Sequence, residues 1–177
     1  MSRSPFFFGY TLGVTSITAL LHTKDDALRL GRCLETLYPC DEIVVVDHGS
    51  QDATVRTALD YGARVVTAQG ALLPQHYVQS ALRTSGPGWI LALDPRESLT
   101  ESLAASLFEW KTEVQEVNEA RPCSVFLREE TAEGWIDHPA AQTRLVPSGW
   151  KLWSGKLPMH DPAALALEGE LLRFVFP

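Results

Sequence analysis

Strand patterns and helix patterns alternate along the first two-thirds of the chain, and this alternation limits the fold more than any other feature of the sequence. Four runs are typical of strands: 13–21, 43–46, 64–67 and 89–93. The first is apolar and β-branched, as in a strand buried on both faces. Helix patterns lie between them, including one at 75–84, and a longer one follows at 100–118. Because strands separated by helices pair in parallel through right-handed crossovers, the sequence predicts an α/β domain built on one sheet.

The pattern changes after Arg121. Short strand patterns at 124–129, 143–146 and 151–153 are separated by segments that contain proline and glycine, and a last strand pattern covers 171–176. We expect antiparallel strands and loops that pack on the edge of the sheet. No linker or repeat divides the chain of 177 residues, so it is predicted to form a single domain.

The composition excludes several classes of protein. Apolar residues make up 45% of the chain and charged residues 21%, as in an ordinary globular protein. The net charge is −7 and the basic residues are scattered, whereas a nucleic-acid binder needs clustered cations. The three cysteines form no C-x-x-C pair and suit neither a disulfide framework nor a structural zinc site. We therefore expect a cytoplasmic protein that does not bind nucleic acid.

The uncharged stretch 6–21 is a candidate membrane segment. It is shorter than the ~20 apolar residues that a spanning helix needs, and it contains several glycine and threonine residues. It also lacks an obvious small-residue cleavage site. No transmembrane segment is predicted, and peripheral contact with a membrane stays open.

Polar clusters follow three of the predicted strands at the point where each strand ends. They cover 22–25, 47–52 and 94–97. Ligands of open parallel sheets bind outside the carboxyl ends of the strands, so we expect these clusters to converge on one crevice. The chain has neither G-x-G-x-x-G nor G-x-x-x-x-G-K-[ST], which argues against other common α/β nucleotide-binding proteins.

Two motifs carry a resemblance to a known family. The first predicted strand ends in T-K-D-D at 23–26, and the second ends in V-V-D-H-G-S-Q-D-A-T at 45–54. This combination resembles the start of family 2 glycosyltransferases of the GT-A fold, and most of all the branch that includes lipopolysaccharide core glucosyltransferases. The matching stretch runs from Ile17 to about Leu103, around half of the chain.

The resemblance implies a fold and a ligand. The fold is a GT-A three-layer sandwich with a mostly parallel central sheet and a small antiparallel C-terminal part. In this single domain, 1–177, residues 13–120 would form the nucleotide-binding half and residues 121–177 the C-terminal strands and loops. The ligand would be a nucleoside-diphosphate sugar, most simply a UDP-sugar.

The two motifs supply polar groups of two kinds, Asp25 in the first motif and the others in the second. Asp47 could accept hydrogen bonds from a uracil-like edge or from ribose hydroxyls, and Asp25 could do similar work; the alternative for Asp47 is a turn-forming role. Ser50, Asp52 and Thr54 are expected to fix the turn and the start of the next helix, where side-chain oxygens satisfy free backbone N–H groups.

The third cluster departs from the family pattern. Family members carry a D-x-D-E-like motif whose acids hold Mg²⁺ or Mn²⁺ against the diphosphate, whereas this chain reads Asp94-Pro95-Arg96-Glu97. Arg96 stands where the second acid belongs, and its charge opposes metal binding. Arg96 could bind the diphosphate directly without metal, or pair with Asp94 or Glu97 and close the site. The candidate substrate-binding residues are therefore Asp25, Asp47, Asp94 and Arg96.

A weaker match lies near the end of the chain, where R-L-V at 144–146 is followed by W-S-G-K-L-P-M-H at 153–160. His160 would match a family histidine that lies near the metal or the diphosphate. With Asp94 it forms the predicted metal-ligand pair, and the alternative is a loop histidine without a role. The other histidines, His22, His48, His76 and His138, receive no role.

Two functions stay open. The first is a glycosyltransferase-like protein that binds a nucleotide sugar and transfers the sugar, with inversion, to an envelope or polysaccharide acceptor. The second is a non-catalytic binding or regulatory module that has lost its metal site. A general base for transfer could come from four carboxylates that no spacing distinguishes: Glu129, Glu130, Glu133 and Asp137.

Overall fold

The apolar runs of the sequence form strands and helices close to their predicted positions. The computed structural model describes residues 15–68, 88–116 and 121–176, and these residues form three helices and eleven strands. In chain order the elements are β1 (Ser16–Thr23), α1 (Ala27–Glu35), β2 (Glu42–Asp47), α2 (Thr54–Asp60), β3 (Arg64–Thr67), β4 (Gly88–Leu93), β5 (Glu97–Leu99), α3 (Glu101–Glu116), β6 (Cys123–Thr131), β7 (Gly134–Asp137), β8 (Gln142–Pro147), β9 (Trp153–Ser154), β10 (Leu157–Pro158) and β11 (Leu165–Arg173).

One mixed sheet has the strand order β3-β2-β1-β4-β8-β6-β11-β5, with β7 paired to β6. The four strands β3, β2, β1 and β4 run parallel. The strand β8 runs antiparallel to β4 and β6, and the short strands β9 and β10 pair separately. The predicted fold class is confirmed: an α/β domain with parallel strands in its N-terminal half and a small antiparallel part after it.

The side chains of β1 alternate between two apolar clusters. Ile17, Ala19 and Leu21 belong to the larger cluster, which also contains the buried side of all three described helices. Leu20 belongs to the smaller cluster on the opposite face, against which Trp153 packs. The helix predicted at 75–84 and the first two residues of the strand predicted at 13–21 lie outside the described residues. Within the described ranges, no helix combines the length and apolar character that a membrane span requires.

The strand β11 begins at Leu165, six residues before its predicted start, because a bulge allows the chain to pair on both sides of it. The register between β11 and β6 shifts between Ala166 and Glu170. Gly169 lies in this bulge with φ +86°, and a Cβ there would lie 2.3 Å from the backbone nitrogen of Leu103. A glycine is therefore needed for α3 to approach β11 this closely.

A buried ion-pair network joins the turn after β4 to the C-terminal strands. Glu97 is fully buried and Arg144 is 1% exposed, and their side chains meet in two hydrogen bonds of 2.8 and 2.9 Å. Arg173 donates a third bond to the same carboxylate at 2.7 Å. The backbone N–H of Asp94 donates a fourth at 2.9 Å. The Glu97 carboxylate is thus satisfied although water does not reach it.

We predict that Glu97→Gln destabilises the fold by about 3–5 kcal/mol, because it leaves the buried Arg144 guanidinium without a charged partner. Urea unfolding monitored by circular dichroism measures the change. Asp60→Asn is the matched control, since it removes a carboxylate from an ion pair that is 69–85% exposed and should change the free energy of unfolding by less than about 1 kcal/mol. Equal effects of the two substitutions would contradict the prediction.

Candidate functional site

The sheet register brings the three polar clusters to one edge. Thr23 of β1 pairs with Asp47 of β2, and Leu21 of β1 pairs with Leu93 of β4. The segments that follow these three parallel strands therefore lie side by side, as the expected convergence requires. The geometry of each segment decides which of its side chains face a ligand.

The Asp47 carboxylate forms hydrogen bonds within its own turn. It accepts hydrogen bonds from the backbone N–H groups of Gly49 and Ser50, each at 3.1 Å, and from the Ser50 hydroxyl. Gly49 has φ +83°, a conformation that glycine adopts without strain. Asp47 is only 6% exposed. The turn-forming alternative for this residue agrees with these contacts.

Asp25 lies next to this turn and is more open. Its backbone N–H donates to the Ser50 hydroxyl at 2.9 Å, and its Oδ1 accepts from the N–H of Gln51 at 2.6 Å. The side chain is exposed, and its second oxygen makes no hydrogen bond to a described residue. Asp25 has φ +55°, which Asp and Asn tolerate better than other non-glycine residues. Its free oxygen is available to a ligand.

Asp52 and Thr54 fix the starts of two helices. One Asp52 oxygen accepts hydrogen bonds from the N–H and the hydroxyl of Thr54, and the other accepts from the N–H of Ala27 at the start of α1. The Thr54 hydroxyl also accepts from the N–H of Asp26. The hydrogen bond from the Thr54 hydroxyl is the main cause that lowers the pKa of Asp52. The predicted structural role of these two side chains agrees with these contacts.

Arg96 pairs with Asp94. Its Nε lies 2.8 Å from Asp94 Oδ1 and its Nη2 lies 3.0 Å from Oδ2, so both carboxylate oxygens are engaged. Burial alone would raise the pKa of Asp94, but the hydrogen bonds and charge of Arg96 outweigh it and hold the pKa below its usual value. Of the ion pairs left open by the sequence, the structure therefore contains Arg96–Asp94, whereas Glu97 pairs with Arg144 and Arg173.

A cavity of about 410 Å³ opens beside this pair. Its polar lining comes from α1, the end of β1, the turn after β4 and the β9–β10 segment: His22, Asp26, Arg29, Asp94, Arg96, Ser154 and Lys156. Two of the four predicted substrate-binding residues, Asp94 and Arg96, belong to this lining. Asp25 and Asp47 lie on the neighbouring turns and are not among the described residues that line the cavity.

His22, which received no role from the sequence, is buried at the edge of this cavity. Its Nδ1 lies 2.9 Å from Nε2 of His48, so a single proton fits between the two rings. Burial lowers the pKa of His22 to about 4, and the positive charges of His48 and Lys156 act in the same direction. His22 is therefore neutral at pH 7.

The described donors do not fit the Mg²⁺ or Mn²⁺ that the family resemblance implies. Both Asp94 oxygens bind Arg96. His160 is exposed and lines a different cavity of about 590 Å³, which shares only Ser154 and Leu157 with the first. The residues that the structure describes contain no group of three or more metal-binding side chains. The structure does not bring Asp94 and His160 together around one ion.

Two cations of the cavity, Arg29 and Lys156, receive no role from the sequence. Lys156 lies within the W-S-G-K-L-P-M-H segment, which drew attention only to His160. Arg29 lies in the first turn of α1. Its position three residues after the T-K-D-D motif was the one sequence feature that could have placed it at the site. None of the four carboxylates considered as general base lines this cavity: Glu129, Glu130, Glu133 and Asp137.

Comparison with known proteins gives partial matches, and no family model matches the chain. A TPR repeat-containing protein of Synechococcus elongatus is 29% identical over 135 residues, which cover 75% of this chain and 31% of that protein. Uncharacterized glycosyltransferases of Rickettsia bellii and Rickettsia felis are each 32% identical over 90 residues, or 49% of this chain. The chain spans about three-tenths of the length of each of these relatives.

Similar solved structures include glucosyl-3-phosphoglycerate synthase from Mycobacterium tuberculosis, solved in complex with Mn²⁺, UDP and glucosyl-3-phosphoglycerate. The alignment has a TM-score of 0.44 and 19% sequence identity. It covers 73% of this chain and 50% of that one.

We predict that stability falls between pH 6.5 and about 4 because His22 titrates differently in the two states. The unfolded imidazole gains a proton below its ordinary pKa of 6.5, whereas the folded one does so only near 4. The free energy of unfolding should therefore drop by about 1–2 kcal/mol between pH 7 and pH 5 from this residue alone, at ~1.4 kcal/mol per unit. Urea titrations of wild type, His22→Gln and the control His138→Gln measure the drop. A drop in His22→Gln as large as in wild type would contradict the prediction.

We predict that Arg96→Asp creates affinity for Mn²⁺, because it frees the Asp94 carboxylate and adds a second one two residues away. Arg96→Gln is the matched control: it removes the cation without adding an acid and should bind Mn²⁺ no better than wild type. Isothermal titration calorimetry measures the affinities, and circular dichroism checks the fold. If the folded Arg96→Asp protein binds Mn²⁺ no better than the control, position 96 does not correspond to the second acid of the family motif.

Proposed function

We propose that this chain is a glycosyltransferase-like GT-A domain that binds a nucleoside-diphosphate sugar, UDP-linked, at the edge formed by β1, β2 and β4. The observation that carries the proposal is the sheet register that sets the T-K-D-D turn, the V-V-D-x-G-S turn and the Asp94–Arg96 turn side by side. The 32% identity with Rickettsia proteins named as glycosyltransferases, over half of this chain, supports the same assignment.

In the proposed pose the base and ribose lie at the turn that carries Asp25, and the diphosphate lies in the cavity. The free oxygen of Asp25 accepts a hydrogen bond from the base edge or a ribose hydroxyl, while Asp47 keeps the adjacent turn in shape. The diphosphate then lies towards the Asp94–Arg96 pair, where the cations of the cavity offset its charge. This arrangement follows the general rule that ligands lie outside the carboxyl ends of parallel strands.

Transfer of the sugar would be an in-line displacement. An acceptor hydroxyl attacks the anomeric carbon, the bond to the diphosphate oxygen breaks, and a base takes the hydroxyl proton, so that the configuration inverts. The acceptor proposed from the resemblance is an envelope component or a polysaccharide. The three cysteines, Cys33, Cys40 and Cys123, are free thiols, which suits the cytoplasm that we propose as its location.

A non-catalytic nucleotide-sugar-binding module is the second candidate function. The observation that favours it is the Asp94–Arg96 pair, which occupies the carboxylate that would otherwise bind a metal ion. Release of UDP from a UDP-sugar, measured over hours with and without Mn²⁺, separates the two candidates. Slow release of UDP that stops in an Arg96→Ala variant supports the glycosyltransferase. Binding of the UDP-sugar without release of UDP supports the non-catalytic module.

We predict that Asp25→Asn weakens UDP binding about tenfold, because it replaces a charged hydrogen-bond acceptor at the rim. Asparagine tolerates the positive φ at this position, so the turn should persist. Calorimetry with UDP and UDP-glucose compares this variant with the control Asp60→Asn, whose carboxylate is exposed at the end of α2. Equal affinities of wild type and Asp25→Asn would rule out the proposed role of Asp25. Asp47 is a poorer test because its removal breaks three hydrogen bonds of the turn.

A further inference from the structure

Two cations of the cavity have no anionic partner among the described residues. Arg29 makes no ion pair there, and its Nε is buried without a hydrogen-bond partner. Lys156 is exposed and makes no ion pair with a described residue, and its positive charge contributes to lowering the pKa of His22 and of His48. Four other described arginines also have a buried nitrogen without a hydrogen-bond partner, but of these five only Arg29 lines this cavity. The position of Arg29 in the cavity lining, together with its open donor, is what points to an anionic ligand.

The cavity as a whole favours an anion. Its lining contains three cations and two carboxylates, and Arg96 already neutralises one of the carboxylates, Asp94. His22 is neutral at pH 7 because burial lowers its pKa to about 4. A divalent cation placed here would meet net positive charge, whereas a phosphate group would meet unpaired N–H donors.

We propose that Arg29 and Lys156 bind the diphosphate of the nucleotide and take the place of a metal ion, so that binding needs no divalent cation. This inference rests on the proposed function for the identity of the ligand. Arg29 supplies a planar guanidinium that can bond two phosphate oxygens, and Lys156 supplies a mobile ammonium from the β9–β10 segment. Arg96 contributes by cancelling the charge of Asp94, which would otherwise repel the phosphates.

The test is calorimetry on the full chain in EDTA, with UDP, UMP and inorganic pyrophosphate as probes. The variants are Arg29→Gln and Lys156→Gln, and the matched control is Lys151→Gln, an exposed lysine five residues away that does not line the cavity. We expect wild type and control to bind UDP in EDTA. Each cavity variant should weaken UDP and pyrophosphate by about tenfold or more and UMP by much less. Thermal melting confirms that each variant is folded.

The outcomes separate this inference from the proposed function. If UDP binds only when Mn²⁺ is added, or binds folded Arg29→Gln and Lys156→Gln as tightly as wild type, the inference is overturned and nucleotide binding stands. If pyrophosphate binds and responds to both substitutions while UDP binds no better than pyrophosphate, the anion site stands and the nucleotide function fails. If neither probe binds wild type with or without Mn²⁺, both are overturned.

Discussion

The buried ion pair between Glu97 and Arg144 holds the candidate site in place. Two fully desolvated charges are tolerated only when each is neutralised and hydrogen-bonded, and here both conditions are met by groups from different strands. The same carboxylate accepts the N–H of Asp94, so the turn that carries Arg96 is tied directly to this pair. The C-terminal strands thus determine the geometry of a turn that belongs to the N-terminal half of the sheet.

The sequence predicted those features that depend on short-range chemistry. The parallel pairing of β1 to β4 follows from the alternation of strand and helix patterns, and the roles of Asp52 and Thr54 follow from free N–H groups at helix starts. The pairing of Glu97 with Arg144 joins residues 47 positions apart, and no local pattern encodes such a distance. The sequence offered Arg96 two acidic partners, Asp94 and Glu97. Because Glu97 pairs with Arg144 and Arg173, Arg96 pairs with Asp94.

The arginine at position 96 strongly affects the balance of charge at this edge of the sheet. An acid at position 96 would have given a pair of carboxylates that attracts a divalent ion, whereas arginine converts Asp94 from a ligand into a counter-ion. The cations Arg29 and Lys156 then dominate the cavity. The same scaffold can therefore present opposite electrostatic surfaces to a ligand through one substitution, without a change in strand order.

The turns at 23–26 and 47–54 hold each other through a reciprocal set of bonds. Ser50 accepts from Asp25, Asp25 accepts from Gln51, and Asp52 accepts from Ala27 across the gap. Each turn thus supplies acceptors for N–H groups of the other, so a rearrangement of one turn would break hydrogen bonds of both. A molecule arriving at this rim meets two turns that already hold each other by hydrogen bonds, so the backbone of these turns loses little conformational entropy on association.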